Sequence, residues 1–197
     1  MRGRAVRLLL GMALVAVLAF AITGCNFTID ETEDADDAIN AASEHADTYN
    51  DLNDQINEYF VQVVTEDGTP EAGDESLAAI AEMEDLLGQQ GEEVDAMRDE
   101  YDKVADLNVS EDLKDYADMM LEATDLLAEV DGLFATILEY WNELAAMDEA
   151  TFDEARHDEL AAEIAAILTE MNDVEQRRYG IEDEADVLLD KINDEME

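Results

Sequence analysis

EDLKDYADMMLEATDLLAEVDGLFATILEYWNELAAM, residues 111–147, is the stretch of sequence that decides the fold. Its apolar side chains return at seven-residue intervals in two uninterrupted rows. The first row is Leu113, Met120, Leu127, Phe134 and Trp141, and the second is Tyr116, Ala123, Val130, Ile137 and Leu144. This spacing places both rows on one face of a helix, as in coiled coils. The pattern therefore predicts a long helix that packs against other helices.

The same spacing continues on both sides of this segment and predicts three further helices, at residues 31–65, 74–107 and 152–194. In the second of these, Gln90 interrupts an apolar row. In the last helix we assign a central row and a flanking row. The central row is Leu160, Ile167, Val174, Ile181 and Leu188; the flanking row is Ile164, Met171, Arg178, Ala185 and Ile192.

Short polar breaks separate the four predicted helices. Residues 66–73 contain the only proline and two glycines, which are typical of a loop. Ser110 is a good N-cap for the third helix, and Thr151 with Glu154 fits a capping box for the fourth. We therefore predict an all-α fold for residues 31–197, an antiparallel up-down-up-down four-helix bundle with long, coiled-coil-like helices. Coiled-coil self-association is the structural alternative, so the oligomeric state stays open.

Charge limits the partners that the chain can bind. The 197 residues carry 54 acidic and 10 basic side chains, a net charge of −44, yet 48% of the residues are hydrophobic. A polyanion of this size repels nucleic acid, and we exclude that class of partner. The apolar content favours a folded core under an acidic coat over a disordered chain. The coat has two interpretations, adaptation to high salt or an ordinary acidic surface.

The N-terminal segment has the pattern of a secretory signal peptide. Arg2, Arg4 and Arg7 precede fifteen apolar or small residues, 8–22, a run too short to span a membrane comfortably. The residues that follow this pattern are Ile22, Thr23, Gly24 and Cys25.

Residues 22–25 resemble the lipobox of bacterial and archaeal lipoproteins. The resemblance implies cleavage after residue 24, attachment of lipid such as palmitate to Cys25, and anchoring on the extracytoplasmic side of the cell membrane. Residues 25–30 would form a short tether. The mature chain would keep seven basic against 54 acidic residues, a net charge of −47, so that lipid rather than electrostatic attraction must hold it to the membrane.

Chain direction places one end of the bundle farthest from Cys25. We call this the distal end; it contains the 66–73 loop and the start of the fourth helix. Aromatic side chains and one histidine concentrate there. The residues that we predict as a ligand or partner site are Tyr59, Phe60, Trp141, Phe152 and His157. The other interpretation is that these side chains only close the end of the core.

Sequence motifs for catalysis or cofactor binding are lacking. Glu154 and His157 have the Glu-x-x-His spacing of di-iron bundles, but such centres need a second copy of the motif, and the sequence has none. We predict no catalytic residues, no metal site and no cofactor. The expected function is a non-enzymatic binding or scaffolding protein of the cell envelope with a protein or cell-wall partner. The alternative is a carrier of a small ligand or metal at the distal end.

Overall fold

The computed structural model describes residues 31–65, 68–147 and 150–196. The predicted signal peptide, Cys25 and the tether lie outside these residues. The described part contains four helices. They are α1 Thr32–Val63, α2 Asp74–Asp106, α3 Glu111–Ala145 and α4 Glu154–Met196. The predicted all-α four-helix bundle is confirmed, and the helix boundaries agree with the sequence pattern to within about two residues.

Contacts between helix ends establish the antiparallel order. At the distal end, the Gly73 amide donates to the carbonyl of Ala145 at 2.9 Å, which joins the start of α2 to the end of α3. At the opposite, proximal end, Lys191 on α4 forms an ion pair with Asp112 on α3 at 2.8 Å. The chain therefore runs up, down, up and down, and each helix packs closely against the next one along the chain.

Two helix starts were predicted from capping residues, with different outcomes. The Ser110 hydroxyl accepts a hydrogen bond from the Leu113 amide at 3.3 Å, which confirms the cap of α3. The predicted capping role of Thr151 is wrong, because α4 begins at Glu154. Asp153 Oδ1 instead accepts from the amides of the two residues that follow Glu154, at 3.0 and 3.3 Å. A carboxylate next to the first helical residue satisfies these amides directly.

The apolar core is held together by α3. All ten residues of its two predicted rows are buried. All of them except Ala123 belong to two apolar clusters, one in the distal half of the bundle around Ile80, Phe134 and Leu160, and one in the proximal half around Tyr101 and Leu113. Full burial of one large aliphatic or aromatic side chain contributes about 1.5–3 kcal/mol, so this helix has the apolar surface to organise the other three.

The two rows assigned to α4 are reversed in the structure. Every residue of the predicted flanking row is buried, including Arg178. In the predicted central row only Leu160 and Val174 are buried, and the other three are half-buried. The assignment is wrong because both rows are apolar, and apolarity alone cannot tell which of them faces the bundle axis.

Candidate functional site

The five predicted site residues lie in three places at the distal end. Trp141 lies within the core and is 1% exposed. Its ring is 5.4 Å from that of Phe60 and 6.1 Å from that of Phe134, the latter edge-on. Because it is buried, Trp141 cannot contact a partner in this conformation. Its position agrees with the interpretation that aromatic side chains close the distal end of the core.

Phe152 and His157 form a second, accessible pair. Phe152 is 56% exposed, and its ring centroid is 5.7 Å from that of His157. The first turn of α4 is fixed beneath them by Arg156, whose guanidinium donates to both carboxylate oxygens of Glu143 at 2.7 and 2.8 Å. These hydrogen bonds lower the pKa of Glu143. His157 is therefore held on a positioned helical turn, and Phe152 contacts it from the segment just before that helix.

Tyr59 belongs to a third place, an open groove between the end of α1 and the start of α2. The groove has a volume of about 400 Å³. Its polar lining is Tyr59, Gln62, Glu71, Glu75, Ser76 and Glu82. The chemistry of the lining favours a cation, since carboxylates attract positive charge and the Tyr59 ring can stack on it.

Several polar side chains are buried in the bundle, and near its middle one from each helix belongs to a common cluster. These residues, which we call the central polar layer, are Tyr49, Gln90, Asp131 and Arg178. The distal apolar cluster lies on one side of the layer and the proximal cluster on the other. Polar groups at such a depth need hydrogen-bonding partners, because burial without them costs about 1–3 kcal/mol each.

The first part of the layer joins α1 to α3. The Tyr49 hydroxyl donates to Asp131 Oδ1 at 2.7 Å. The Gln90 side chain donates to the backbone carbonyl of Tyr49 at 3.4 Å and so adds α2. Asp131 Oδ2 is buried and has no hydrogen-bond partner within the described part of the chain. Burial raises the pKa of Asp131 to about 7, against the opposing effect of the hydrogen bond from Tyr49.

The second part of the layer is an ion-paired arginine on α4. Arg178 is 2% exposed and donates to Glu175 at 2.8 Å and to Glu182 at 2.5 Å. Its guanidinium also lies 4.5 Å from the centre of the Tyr179 ring. Burial raises the pKa of Glu182, and the charge of Arg178 opposes that change.

Sequence reasoning missed the central polar layer as a unit. Gln90 and Arg178 stand out in the sequence as polar residues in apolar rows, and both lie near the middle of their helices. Neither Tyr49 nor Asp131 is marked by such a pattern. The signal that could have found the layer is that two polar interruptions fall at the same height once the helices are aligned antiparallel.

Neither histidine belongs to a metal-binding cluster formed by the residues that the structure describes. His45 forms a 2.6 Å contact with Glu93 that joins α1 to α2. Among the described residues, no group of three or more His, Cys, Asp and Glu side chains is arranged to hold a metal ion. The same part of the chain has no helix that is both long and apolar enough to cross a membrane.

Comparison with known proteins adds no family. No protein-family model, no curated protein and no solved structure matches this chain.

Proposed function

We propose that this protein is a lipid-anchored, extracytoplasmic helical bundle with a non-enzymatic binding or scaffolding role in the cell envelope. The observation that carries the binding role is the exposed Phe152, whose ring packs at a tilt against that of His157 at the distal end. A large, accessible aromatic side chain is the kind of residue that anchors protein interfaces. The lipobox resemblance supports the anchoring.

The chemistry of the partner follows from charge. A bundle of net charge −47 repels other polyanions and attracts cationic surfaces, most strongly at low ionic strength. We therefore propose a cationic protein or cell-wall component as the partner. Binding by this route should weaken as salt is added, whereas the apolar contact of Phe152 should persist.

The anchor is tested by cell fractionation of Cys25→Ser, with Gly24→Ala as the matched control because alanine also fits the lipobox pattern. The serine variant should accumulate as an unprocessed precursor or leave the membrane fraction, and the alanine variant should behave as the unmodified chain does. A Cys25→Ser chain that is processed and fractionates normally would refute lipidation.

The binding face is tested with a photo-crosslinking amino acid placed at Phe152 in intact cells. Val187 provides the matched control, since it is 72% exposed and lies near the proximal end of α4, the helix that Phe152 precedes. A discrete adduct from position 152, lost in His157→Ala and not formed from position 187, would support the proposal. Identical adducts from both positions, or none from either, would contradict it.

The second candidate is a carrier of a small ligand or metal, and the groove beside Tyr59 is the observation that favours it. Its carboxylates select a cationic ligand, for which trilysine is a suitable probe. Native mass spectrometry should show one trilysine bound, with binding lost in Tyr59→Ala and Glu75→Gln. Glu84→Gln is the control, because Glu84 bonds to Asn142 and does not line the groove. If the purified protein contains no metal or ligand and does not bind trilysine, the carrier function is contradicted.

A further inference from the structure

The central polar layer, taken together with the two glutamates that pair with its arginine, contains more acid than base. It has three carboxyl groups, those of Asp131, Glu175 and Glu182, and one guanidinium, that of Arg178. Both glutamates are paired with Arg178, and no ion pair reaches Asp131 within the described part of the chain. If all three acids were ionised, this group would carry two uncompensated negative charges, and Asp131 is the acid that lies fully within the core, whereas the two glutamates are half-buried. Burial of an unpaired charge is costly, so one of the three acids is favoured in its neutral form.

The hydrogen bonds identify Asp131 as that acid. Its Oδ1 accepts from Tyr49, while its Oδ2 is buried without a partner. An ionised carboxylate accepts hydrogen bonds on both oxygens, and here one oxygen would carry negative charge with no donor. A proton on Oδ2 removes that charge and leaves the bond from Tyr49 in place.

We propose that Asp131 is a proton-binding site at the centre of the bundle, and that its protonation closes the packing of α1 against α3 while its ionisation loosens it. The ligand is the proton itself. The inference does not depend on the distal binding face or on the lipid anchor.

Charged and polar groups from each neighbouring helix act on Asp131. Tyr49 on α1 favours the ionised form by donating a hydrogen bond. Gln90 on α2 is uncharged and acts through the Tyr49 carbonyl. From α4, Glu175 favours the neutral form and Arg178 the ionised form. The effect of burial outweighs the combined effects of these neighbouring groups and raises the pKa of Asp131 to about 7. Both the neutral and the ionised carboxyl group are therefore populated near neutral pH.

The protonation state can be measured directly in the unmodified protein. The full-length chain, labelled with ¹³C at aspartate carboxyl carbons and purified in detergent, is titrated by NMR, and the Asp131 signal is assigned by its loss in Asp131→Asn. The expected midpoint is near pH 7. A midpoint below pH 5 would overturn the proposal. If Asp131→Asn does not fold, the Asp131 carboxyl signal is assigned in the unmodified protein through its correlations to the backbone.

The coupling to packing is measured by amide hydrogen exchange. After correction for the intrinsic pH dependence, protection of the middle turns of α1 and α3 should fall about tenfold between pH 6 and pH 8. The reason is that the closed state binds on average about half a proton more than the open state over these two pH units. Protection should change less than twofold in Asp131→Asn.

The matched control for hydrogen exchange is Asp118→Asn, an exposed aspartate on the same helix. This variant should keep the tenfold fall. If protection from exchange falls equally in Asp131→Asn, or does not fall in the unmodified protein, Asp131 does not control the packing of α1 against α3.

Discussion

The Tyr49 hydroxyl on α1 lies 2.7 Å from Asp131 Oδ1 on α3, and the two residues are 82 positions apart in the chain. The bond joins two helices that are not consecutive and crosses the bundle between its two apolar clusters. A hydrogen bond at this place fixes the relative height of α1 and α3, which apolar packing alone leaves free to slide by a turn.

Removal of the Tyr49 hydroxyl should destabilise the bundle in a pH-dependent way. Tyr49→Phe leaves both oxygens of Asp131 without a donor, which should cost about 1–3 kcal/mol at pH 8.5. The cost should be smaller at pH 5, because Asp131 is then neutral and an uncharged carboxyl group loses less free energy when its hydrogen-bond donor is removed. Urea unfolding followed by Trp141 fluorescence measures both values. The control is Tyr59→Phe, at a half-exposed position, which should change stability by less than about 0.5 kcal/mol. If Tyr49→Phe costs the same free energy at pH 5 and at pH 8.5, the explanation is contradicted.

Asp131 should make the folded state less stable as pH rises. Its pKa is 3.8 in the unfolded chain and about 7 in the bundle, so between these values the folded state binds more protons. This contribution is complete below pH 3.8 and is lost as pH rises through about 7. The stability of the unmodified protein relative to Asp131→Asn should therefore fall by about 3 kcal/mol between pH 4.5 and pH 8. A difference that is constant or rises with pH would show that the aspartate is not buried as described.

Arg178 should be far more important than its neighbour Arg177. Arg178→Ala leaves the half-buried carboxylates of Glu175 and Glu182 without their cation. Breaking a fully buried pair in this way costs about 3–5 kcal/mol, and the partial exposure of the two glutamates sets the expected cost at the lower end of that range, about 3 kcal/mol. Arg177 is exposed, and Arg177→Ala should cost less than about 0.5 kcal/mol. Urea unfolding at pH 7 compares the two. If the unpaired acids are the cause, Arg178→Met combined with Glu175→Gln and Glu182→Gln should recover most of the loss.

Salt should stabilise the fold through its acidic coat. The net charge of the full sequence is −44, and few of the acids have a basic partner. The Debye length falls from about 10 Å at 0.1 M salt to about 3 Å at 1 M, which screens their repulsion. Urea unfolding should show a gain of at least about 1 kcal/mol between 0.1 and 2 M NaCl at pH 7. The gain should shrink at pH 4.5, where part of the coat is neutral; no gain at pH 7 would contradict salt adaptation.

The sequence was sufficient to predict the fold because local and long-range signals agree. The ten apolar residues of α3 repeat without interruption, and Ser110 marks its start. Charge did not obscure this pattern, since the acidic residues occupy the positions between the rows. The first helical residue of α4 was harder to predict, because Thr151 and Asp153 are both residue types that cap helices, and it is Asp153 that accepts the bonds.

The candidate sites were predicted less well, for two physical reasons. Aromatic residues at the distal end could be recognised by type, but only packing decides that Trp141 is enclosed while Phe152 is exposed. The central polar layer depends on which residues meet at one height on four helices. A single aspartate such as Asp131, in a chain with 54 acidic residues, carries no local signal that it is buried.

The reversed rows of α4 provide a matched pair of substitutions. Ile164 is 2% exposed in the row that faces the core, and Ile167, less than one turn later, is half-buried in the other row. Ile164→Ala should cost about 2–5 kcal/mol, because it removes buried methyl groups and leaves a cavity. Ile167→Ala should cost less than half as much, because solvent and neighbouring side chains can fill the space. Urea unfolding of the two variants in the same buffer decides between the rows: a larger cost at Ile167 would restore the order predicted from the sequence and would place Arg178 away from the bundle axis.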